Sequence, residues 1–573
     1  MILTVWAPFA DRVEVVLSDG ARHAMARDGT ESWSVELGAA LLADGYRYSL
    51  DGGTPRPDPR STLQADGVHG ASKILDLELL RDRRGSGFRA RPLSEAVIYE
   101  LHVGTFTEAG TYAAAAEKLR HLAELGITHV ELMPIASFPG NRGWGYDGVD
   151  WYAPFRAYGT CEELAAFIDA CHARGIAVLL DVVYNHFGPE GNYWREFGPY
   201  FTHDVTTPWG DAINFDGAYS DAVRRFVLDN AVMWLRDYQF DGLRLDAVHA
   251  MQSAGAVHVL EDLAHRVRQL SVELNRPLLL IAESDTNDPR LVRPAAQGGL
   301  QLDAHWVDDF HHSLHRFFTA EPNGYYADYT GLQDVAVALR DAYIYQGQYS
   351  VYRRRRHGRP PVWVSPDRIV VSAQNHDQIG NRAFGERLSM LLPPLRLKAI
   401  AALTLLAPFV PLLFHGEEWG ARTPFLYFTD MQDAALGDAI AAGRRKEFAA
   451  FAWAGELPNP QDQSSFLRSK LNWSELDLQA HADLLRWYTA LIRIRQNKPH
   501  WSKPTKADVH FDTVAGWLTF THAGVLVAFN FAHEPRRIPL PAGNWRPLLR
   551  ADPDADDGGD VFAAGATRIF ARR

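Results

Sequence analysis

Eight short apolar runs, spread over positions 97–414, constrain this chain more than any other feature of it. They begin near Val97 (VIYELHV), Ile127 (ITHVELM), Ile176 (IAVLLDVV), Asp241 (DGLRLDAV), Pro277 (PLLLIAES), Leu302 (LDAHWV), Arg368 (RIVVSAQ) and Pro411 (PLLFHG). Helical spacing of apolar residues fills several intervals, at 112–124, 161–174, 220–238, 256–274 and 393–406. A strand that is apolar at nearly every position is buried on both faces, as in a parallel sheet covered by helices. Eight such strands alternating with helices predict a (β/α)8 TIM barrel rather than an open sheet. The long gaps after the third and sixth strands predict insertions at one face.

The flanks have a different texture. Over residues 1–85, Val13, Val15 and Leu17 alternate along one run and Trp33, Val35 and Leu37 along another, separated by Ser18-Asp19-Gly20, Asp28-Gly29 and Asp51-Gly52-Gly53. That pattern predicts an N-terminal, immunoglobulin-like β-sandwich. The charged, Gly- and Pro-marked stretch 81–92 reads as a linker. The barrel with its insertions is expected over 86–497, ending in a helix near 480–496. Renewed alternation (VHFDTVAGWLTFTHAGVLVAFNF) predicts a small C-terminal β domain over 498–573.

Composition excludes several function classes. The net charge of −12 argues against a general binder of nucleic acid or of anionic membranes. No apolar run approaches the roughly 20 residues of a membrane helix, and the first residues lack the basic start of a signal peptide. Cys161 and Cys171 share one predicted helix, about 15 Å apart along its axis and too far for a disulfide. Two reduced thiols point to a cytoplasmic setting. The local cluster Arg353–Arg356 reads as a solvated loop or, alternatively, a phosphate or nucleic-acid site.

A barrel of this type places its active site at the C-terminal ends of the strands. Polar residues at those ends are therefore the candidates: His102 after the first strand; Asp181, Asn185 and His186 on the third; Arg244, Asp246 and His249 on the fourth; Glu283 on the fifth; Asp308, Asp309, His311 and His312 after the sixth; Asn375, His376, Asp377 and Gln378 on the seventh. Asp246, Glu283 and Asp377 come from three strands and are expected to meet at one mouth. Like charges held close raise one pKa while another carboxylate stays ionised. Glycoside hydrolysis with retention uses that asymmetry, with carboxyl groups roughly 5–5.5 Å apart. Arg244, two residues before Asp246, lies on the same strand face and would keep it ionised. Two other readings stand beside this one. The carboxylates could be structural ion-pair partners, or His102, His186 and His376 could bind zinc, although no HExxH-like spacing is present. Trp209, Trp419 and Phe425 are candidate aromatic platforms or core residues. Glu417 and Glu418 would contact sugar hydroxyls or brace the last strand.

DVVYNH, GLRLDAVH, the strand-end Glu283 and QNHD together resemble the four motif regions of the α-amylase family of glycoside hydrolases. The resemblance implies that Asp246 is the nucleophile, Glu283 the general acid/base and Asp377 a carboxylate that stabilises the transition state. It implies further that Tyr146, His186, Arg244 and His376 hold the reacting sugar. FPGNRGWGYDGVDWYAP (138–154), WVDDFHHSLH (306–315), SAQNHDQIGNRAFGERL (372–388) and FHGEEWGARTPFLYFTD (414–430) resemble one branch of that family, the malto-oligosyltrehalose trehalohydrolases. VWAPFADRVEVV and YRYSLDGGTPRPDPRS look like the sandwich that precedes the barrel there and in glycogen-branching enzymes. This narrower likeness adds His249, Asp308, Asp309, His311, His312, Asn375 and Gln378 as expected substrate contacts. For Asp308 and Asp309 the alternative is ordinary charge at a helix start. The implied reaction cuts the α-1,4 bond between a maltooligosyl chain and trehalose, with no cofactor and no catalytic metal. The implied pathway partner is the synthase that makes maltooligosyltrehalose. A branching enzyme and a non-catalytic glucan-binding protein are the rival readings.

Overall fold

The computed structural model describes residues 1–29, 31–82, 87–449, 457–498, 501, 505–551 and 560–572. All eight apolar runs become strands of one closed parallel barrel: β1 (Ile98–Leu101), β2 (His129–Leu132), β3 (Ala177–Val182), β4 (Gly242–Leu245), β5 (Leu279–Ala282), β6 (Ala304–Trp306), β7 (Ile369–Ser372) and β8 (Val410–Phe414). Neighbours in sequence are neighbours in the barrel, and β8 closes it by pairing Leu412 with Ile98 of β1.

The inward positions recur every second residue, and their chemistry changes with height. Ile98, Leu179, Ile281, Val370 and Leu412 pack into one apolar cluster low in the barrel. Two residues further along β1 and β3 come Glu100 and Asp181, and beside them Arg244 on β4, all buried. Charge inside a barrel must be paired or neutralised, so this upper layer sets the electrostatics of the mouth above it. Gly242 permits the crowding: a Cβ there would lie 2.7 Å from the Leu279 carbonyl oxygen.

The helices follow the predicted spacing with two departures. The expected helix at 112–124 is divided into Tyr112–Glu117 and Leu119–Leu125 at Lys118. The one at 220–238 runs as an α-helix over Ser220–Val232 and finishes in a wider π turn over Met233–Asp237. Helices Cys161–His172, Val259–Glu273, Pro394–Leu406 and Gln479–Gln496 stand where periodicity put them. Cys161 and Cys171 are both buried free thiols. The gap after β3 holds an antiparallel hairpin, Phe201–Thr207 with Gly210–Ile213, and the gap after β6 a second, Gln346–Ser350 with Arg355–Gly358.

Two antiparallel sheets precede the barrel. Ile2–Trp6, Ser32–Glu36 and Ala26–Asp28 form one, and a five-stranded sheet centred on Val13–Leu17 and Tyr46–Leu50 forms the other. Their inner faces bury Leu3, Val5, Val13, Val15, Trp33 and Tyr48. Of the stretch read as a linker, Arg81 and Asp82 end a short helix, Leu77–Asp82, and 83–86 lie outside the described residues. After the barrel comes a five-stranded antiparallel sheet whose central strand, Val525–Asn530, is buried throughout. Among the described residues no helix is long and apolar enough to cross a membrane.

Candidate active site

Arg244 organises the mouth. It is fully buried on β4, and its guanidinium lies over the Trp306 ring, 4.4 Å from the centroid. Its Nη1 donates to both carboxylate oxygens of Asp181, at 2.9 and 2.8 Å, and to Oδ1 of Asp246 at 2.7 Å. Its Nη2 stands 3.9 Å from Oε2 of Glu283. One fixed cation therefore touches Asp246 and lies within ion-pair distance of Glu283. The second oxygen of Asp246 accepts a 2.6 Å hydrogen bond from Asn185 Nδ2. With a cation on one oxygen and an amide on the other, the Asp246 carboxyl is held in place.

Glu283 sits differently. Its Oε2 accepts the backbone N–H of Ala247 at 2.6 Å. Burial pushes its carboxyl upward; Arg244 pulls against that rise, and the negative charges of Asp246 and Asp377 add to it. Asp377 lies in the first turn of the short helix His376–Gly380, with its side chain 44% exposed, and accepts from Asn381 Nδ2 at 3.2 Å. The backbone turn is secured by Asn375, whose side chain caps that helix by accepting the N–H of Gln378.

A second cation faces the first across Tyr146. The backbone N–H of His376 donates to Glu100 Oε2 at 3.0 Å, and its Nδ1 pairs with Oε1 of the same carboxylate. Burial alone would depress His376, but the carboxylates of Glu100 and Asp377 outweigh it and hold the imidazole at about 9. Its Nε2 meets the Tyr146 hydroxyl at 2.7 Å, and that hydroxyl is also 2.7 Å from Oδ2 of Asp181. The Tyr146 ring stacks on His376 at 5.1 Å. Glycine sets Tyr146 in place: Gly145 has φ +102°, and a Cβ there would lie 2.2 Å from the Pro134 carbonyl oxygen. His186 bonds Asn185 through Nδ1 and the Tyr146 carbonyl through Nε2 at 3.0 Å, while Trp209 stacks on its ring at 4.6 Å.

These groups line a cleft of about 740 Å³. Asp246, Glu283, Asp377, Tyr146, His186, His249 and His376 all face it, along with Trp209 at the tip of the first hairpin. The structure places the remaining candidates away from its walls. Asp309 accepts from Asn287, the Tyr329 hydroxyl and the amides of Ile344 and Tyr345, which ties the β6 loop together. His311 bonds the Ala373 carbonyl and the Tyr326 hydroxyl, and His312 bonds Tyr329 and stacks on Tyr325. Asp308 senses the field of Glu283 and Asp377: burial first, then those carboxylates, push it well up. Trp419 and Phe425 are core residues without exposure. Glu417 and Glu418 brace the end of β8 through Tyr488, Tyr99 and His121. The ring nitrogens of His102 are engaged by Thr105, Gly143 and Tyr158, away from His186 and His376.

Three residues of the site went unread in the sequence: Glu100, Asn381 and Arg444. Arg444 lines the cleft from helix Ala434–Ala449 and donates to Oδ1 of Asn381 at 2.9 Å, which in turn holds Asp377. The signal for Glu100 was a carboxylate in the middle of an apolar strand.

Comparison with known proteins agrees with this geometry. Residues 83–206 match the model of the α-amylase catalytic domain, and 506–570 match a domain of unknown function, DUF3459. A malto-oligosyltrehalose trehalohydrolase from Arthrobacter ramosus is 47% identical over 549 residues, covering 94% of each chain. A 1,4-alpha-glucan branching enzyme from Pseudomonas aeruginosa is 33% identical, but the match covers 56% of this chain and 49% of that one. The crystal structure of a putative α-amylase from Salmonella typhimurium superposes with a TM-score of 0.91 at 36% identity, covering 100% of this chain and 97% of that one. A barrel whose strand ends carry the four motif regions, and a likeness that runs through both flanking β domains, place this chain in the malto-oligosyltrehalose trehalohydrolase family of α-amylase-type glycoside hydrolases.

Proposed function

We infer that this protein hydrolyses maltooligosyltrehalose at the α-1,4 bond that joins the maltooligosyl chain to trehalose, releasing free trehalose. Family membership over nearly the whole chain carries the reaction. The residue roles rest on one observation: Arg244 donates to Asp246 at 2.7 Å, while burial and two neighbouring carboxylates favour the protonated form of Glu283. Asp246 attacks the anomeric carbon, and Glu283 gives its proton to the departing glycosidic oxygen of trehalose. The bond from that carbon to oxygen breaks as the ester to Asp246 forms. Glu283, now a carboxylate, takes a proton from water; the water oxygen bonds the anomeric carbon and Asp246 leaves as a carboxylate. Asp377, at the mouth, faces the positive charge that develops on the sugar between these states. Tyr146 offers its ring to the reacting sugar; His186 and His376 border the cleft and, with their ring nitrogens on Asn185, Glu100 and Tyr146, hold that ring in position. None of these steps calls on a cofactor. The three sequence segments 1–85, 86–497 and 498–573 divide the labour: only the middle one supplies side chains to this chemistry.

The test is a product assay on maltooligosyltrehalose beside plain maltooligosaccharide. The expected result is free trehalose as the main product of the first and slow turnover of the second. Maltose and glucose as dominant products of the second would return the protein to general α-amylase activity. New α-1,6 branches without net hydrolysis would make it a branching enzyme. Asp246→Asn and Glu283→Gln should each lower kcat by roughly a thousandfold or more with an unchanged circular dichroism spectrum; near-normal rates in either would refute its assigned role.

A further inference from the structure

The basic run Arg353–Arg356 has no part in the chemistry above. Arg353 anchors it, donating to Asp285 at 3.2 Å. Arg355 and Arg356, with Arg359 just beyond the strand Arg355–Gly358, line a second cavity of about 400 Å³. Its opposite wall comes from the loop after β5, including Ser284 and Thr286. His249 lines both this cavity and the catalytic cleft.

The charge in this cavity is one-sided. Asp288 is the sole carboxylate among its lining residues, and Arg290 already occupies it, with contacts of 2.5 and 2.8 Å. Among the described residues Arg355, Arg356 and Arg359 form no ion pair with any carboxylate. Arg355, Arg356 and Arg359 thus line one concavity with a single carboxylate, Asp288, which Arg290 holds in direct contact and Arg359 reaches through its field, while Arg356 donates to the Gly347 carbonyl; the net charge of the whole chain is −12. A concave cluster of like charges raises the local concentration of ions of opposite sign. A maltooligosaccharide is neutral and is no such ion. The guanidinium fork matches a phosphate group in geometry and charge, and the Ser284–Thr286 hydroxyl pair, bonded to each other at 2.8 Å, leaves one O–H to donate in the same lining.

We propose that this cavity is an anion site for a phosphate group, taken either as free phosphate or as the monoester of a small phosphorylated sugar. The site adjoins the catalytic cleft at His249, and none of its arginines lines that cleft.

Calorimetric titration of the full-length protein with inorganic phosphate, and separately with glucose 6-phosphate, tests this without any glucan present, so the outcome does not depend on the reaction assigned above. Saturable binding is expected for both, with glucose as a non-binding control. Tighter binding of glucose 6-phosphate would identify the monoester as the ligand, and equal binding would identify free phosphate. Arg355→Gln and Arg359→Gln should each weaken binding roughly fivefold to tenfold. Arg354→Gln removes the same charge from the same hairpin but lies outside the cavity lining, and should weaken it by less than about twofold. All three positions are exposed, so the variants keep the fold. Absence of saturable binding overturns the proposal. An equal effect of Arg354→Gln also overturns it, because the attraction would then be diffuse. Unchanged anion binding in Arg355→Gln and Arg359→Gln, together with a raised KM for maltooligosyltrehalose, would assign these arginines to the neutral substrate instead.

Discussion

Arg244 and His376 are the two fixed cations of this mouth, and they reach it by opposite routes. A guanidinium stays charged when buried; an imidazole does so only if a carboxylate holds the proton on it. Glu100 provides that carboxylate from β1, with one oxygen on the His376 backbone N–H and the other on Nδ1. A histidine lifted from its ordinary 6.5 to about 9 contributes stability that is complete below about 6.5 and is lost as the pH rises through about 9. The difference is of the order of 3 kcal/mol. Urea titrations from pH 6 to 10 should therefore show the wild type losing stability across pH 7–9 more steeply than Glu100→Gln, in which the charged form has lost its main partner. The His376 ring resonances should titrate near 9 in the wild type and well below that in the variant. Parallel stability curves with an unmoved titration would remove Glu100 from this role. Glu100 was readable in principle. A charged residue between Tyr99 and Leu101 in an apolar strand has to be explained by a partner, but no spacing rule links it to His376, 276 positions away. Asp309 and His311 show the reverse. Their acidic and imidazole chemistry marks them as site residues in sequence, and only tertiary contacts show that the Asn287, Ile344 and Tyr345 groups and the Ala373 carbonyl already use them.

The elements that sequence periodicity revealed are those with a buried face. All eight barrel strands qualify, since each is a short, largely apolar run buried on both faces, even where it carries a charged residue such as Glu100 or Arg244. The hairpin Phe201–Thr207 and Gly210–Ile213 does not qualify: most of its first strand is exposed, so the sequence FTHDVTT carries no apolar period. Helix Ala434–Ala449 is equally silent, because a run of Ala and Gly with few large apolar residues has only a faint stripe. Both elements nevertheless wall the cleft, the hairpin through Trp209 and the helix through Ile440 and Arg444. Elements chosen for ligand contact face solvent until the ligand arrives, and this is why their pattern is weak. Trp209 is 47% exposed and stacks on His186 with rings only 4° from parallel. Its free face is open to a sugar ring in the cleft. Trp209→Ala should raise KM for maltooligosyltrehalose roughly threefold to tenfold and leave kcat within about twofold, the signature of lost binding rather than lost chemistry. A fall in kcat with KM unchanged would place Trp209 in the reaction itself, through the ring it covers.

At the scale of the molecule, the N-terminal sheets bear on the same insertion that carries Trp209. Polar contacts are conspicuous there: Arg56 pairs with Glu196, Arg60 with Asp229, and His69 with Glu190, which in turn accepts the amides of Gln432 and Asp433. Exposed ion pairs of this kind contribute about 0–1 kcal/mol each. The aromatic contacts weigh more. Trp6 meets Tyr200 edge-on at 5.1 Å, Tyr48 meets Phe197 at 6.4 Å, and both barrel-side rings are buried. Gly198 lets the two surfaces close, since a Cβ there would stand 2.9 Å from the Trp6 ring. Truncating a buried phenylalanine costs about 3–5 kcal/mol, several times the worth of an exposed ion pair. Phe197→Ala should accordingly lower Tm by several degrees, and Arg60→Met should shift it by far less. Because Phe197 and Tyr200 lie between β3 and the hairpin, loosening them should also release Trp209: Phe197→Ala is expected to raise KM in the same direction as Trp209→Ala, although Phe197 does not line the cleft. If Phe197→Ala lowers Tm while KM stays unchanged, the sandwich stabilises the barrel without shaping its mouth. If Arg60→Met proves the more damaging of the two, charge rather than aromatic packing holds the sheets in place.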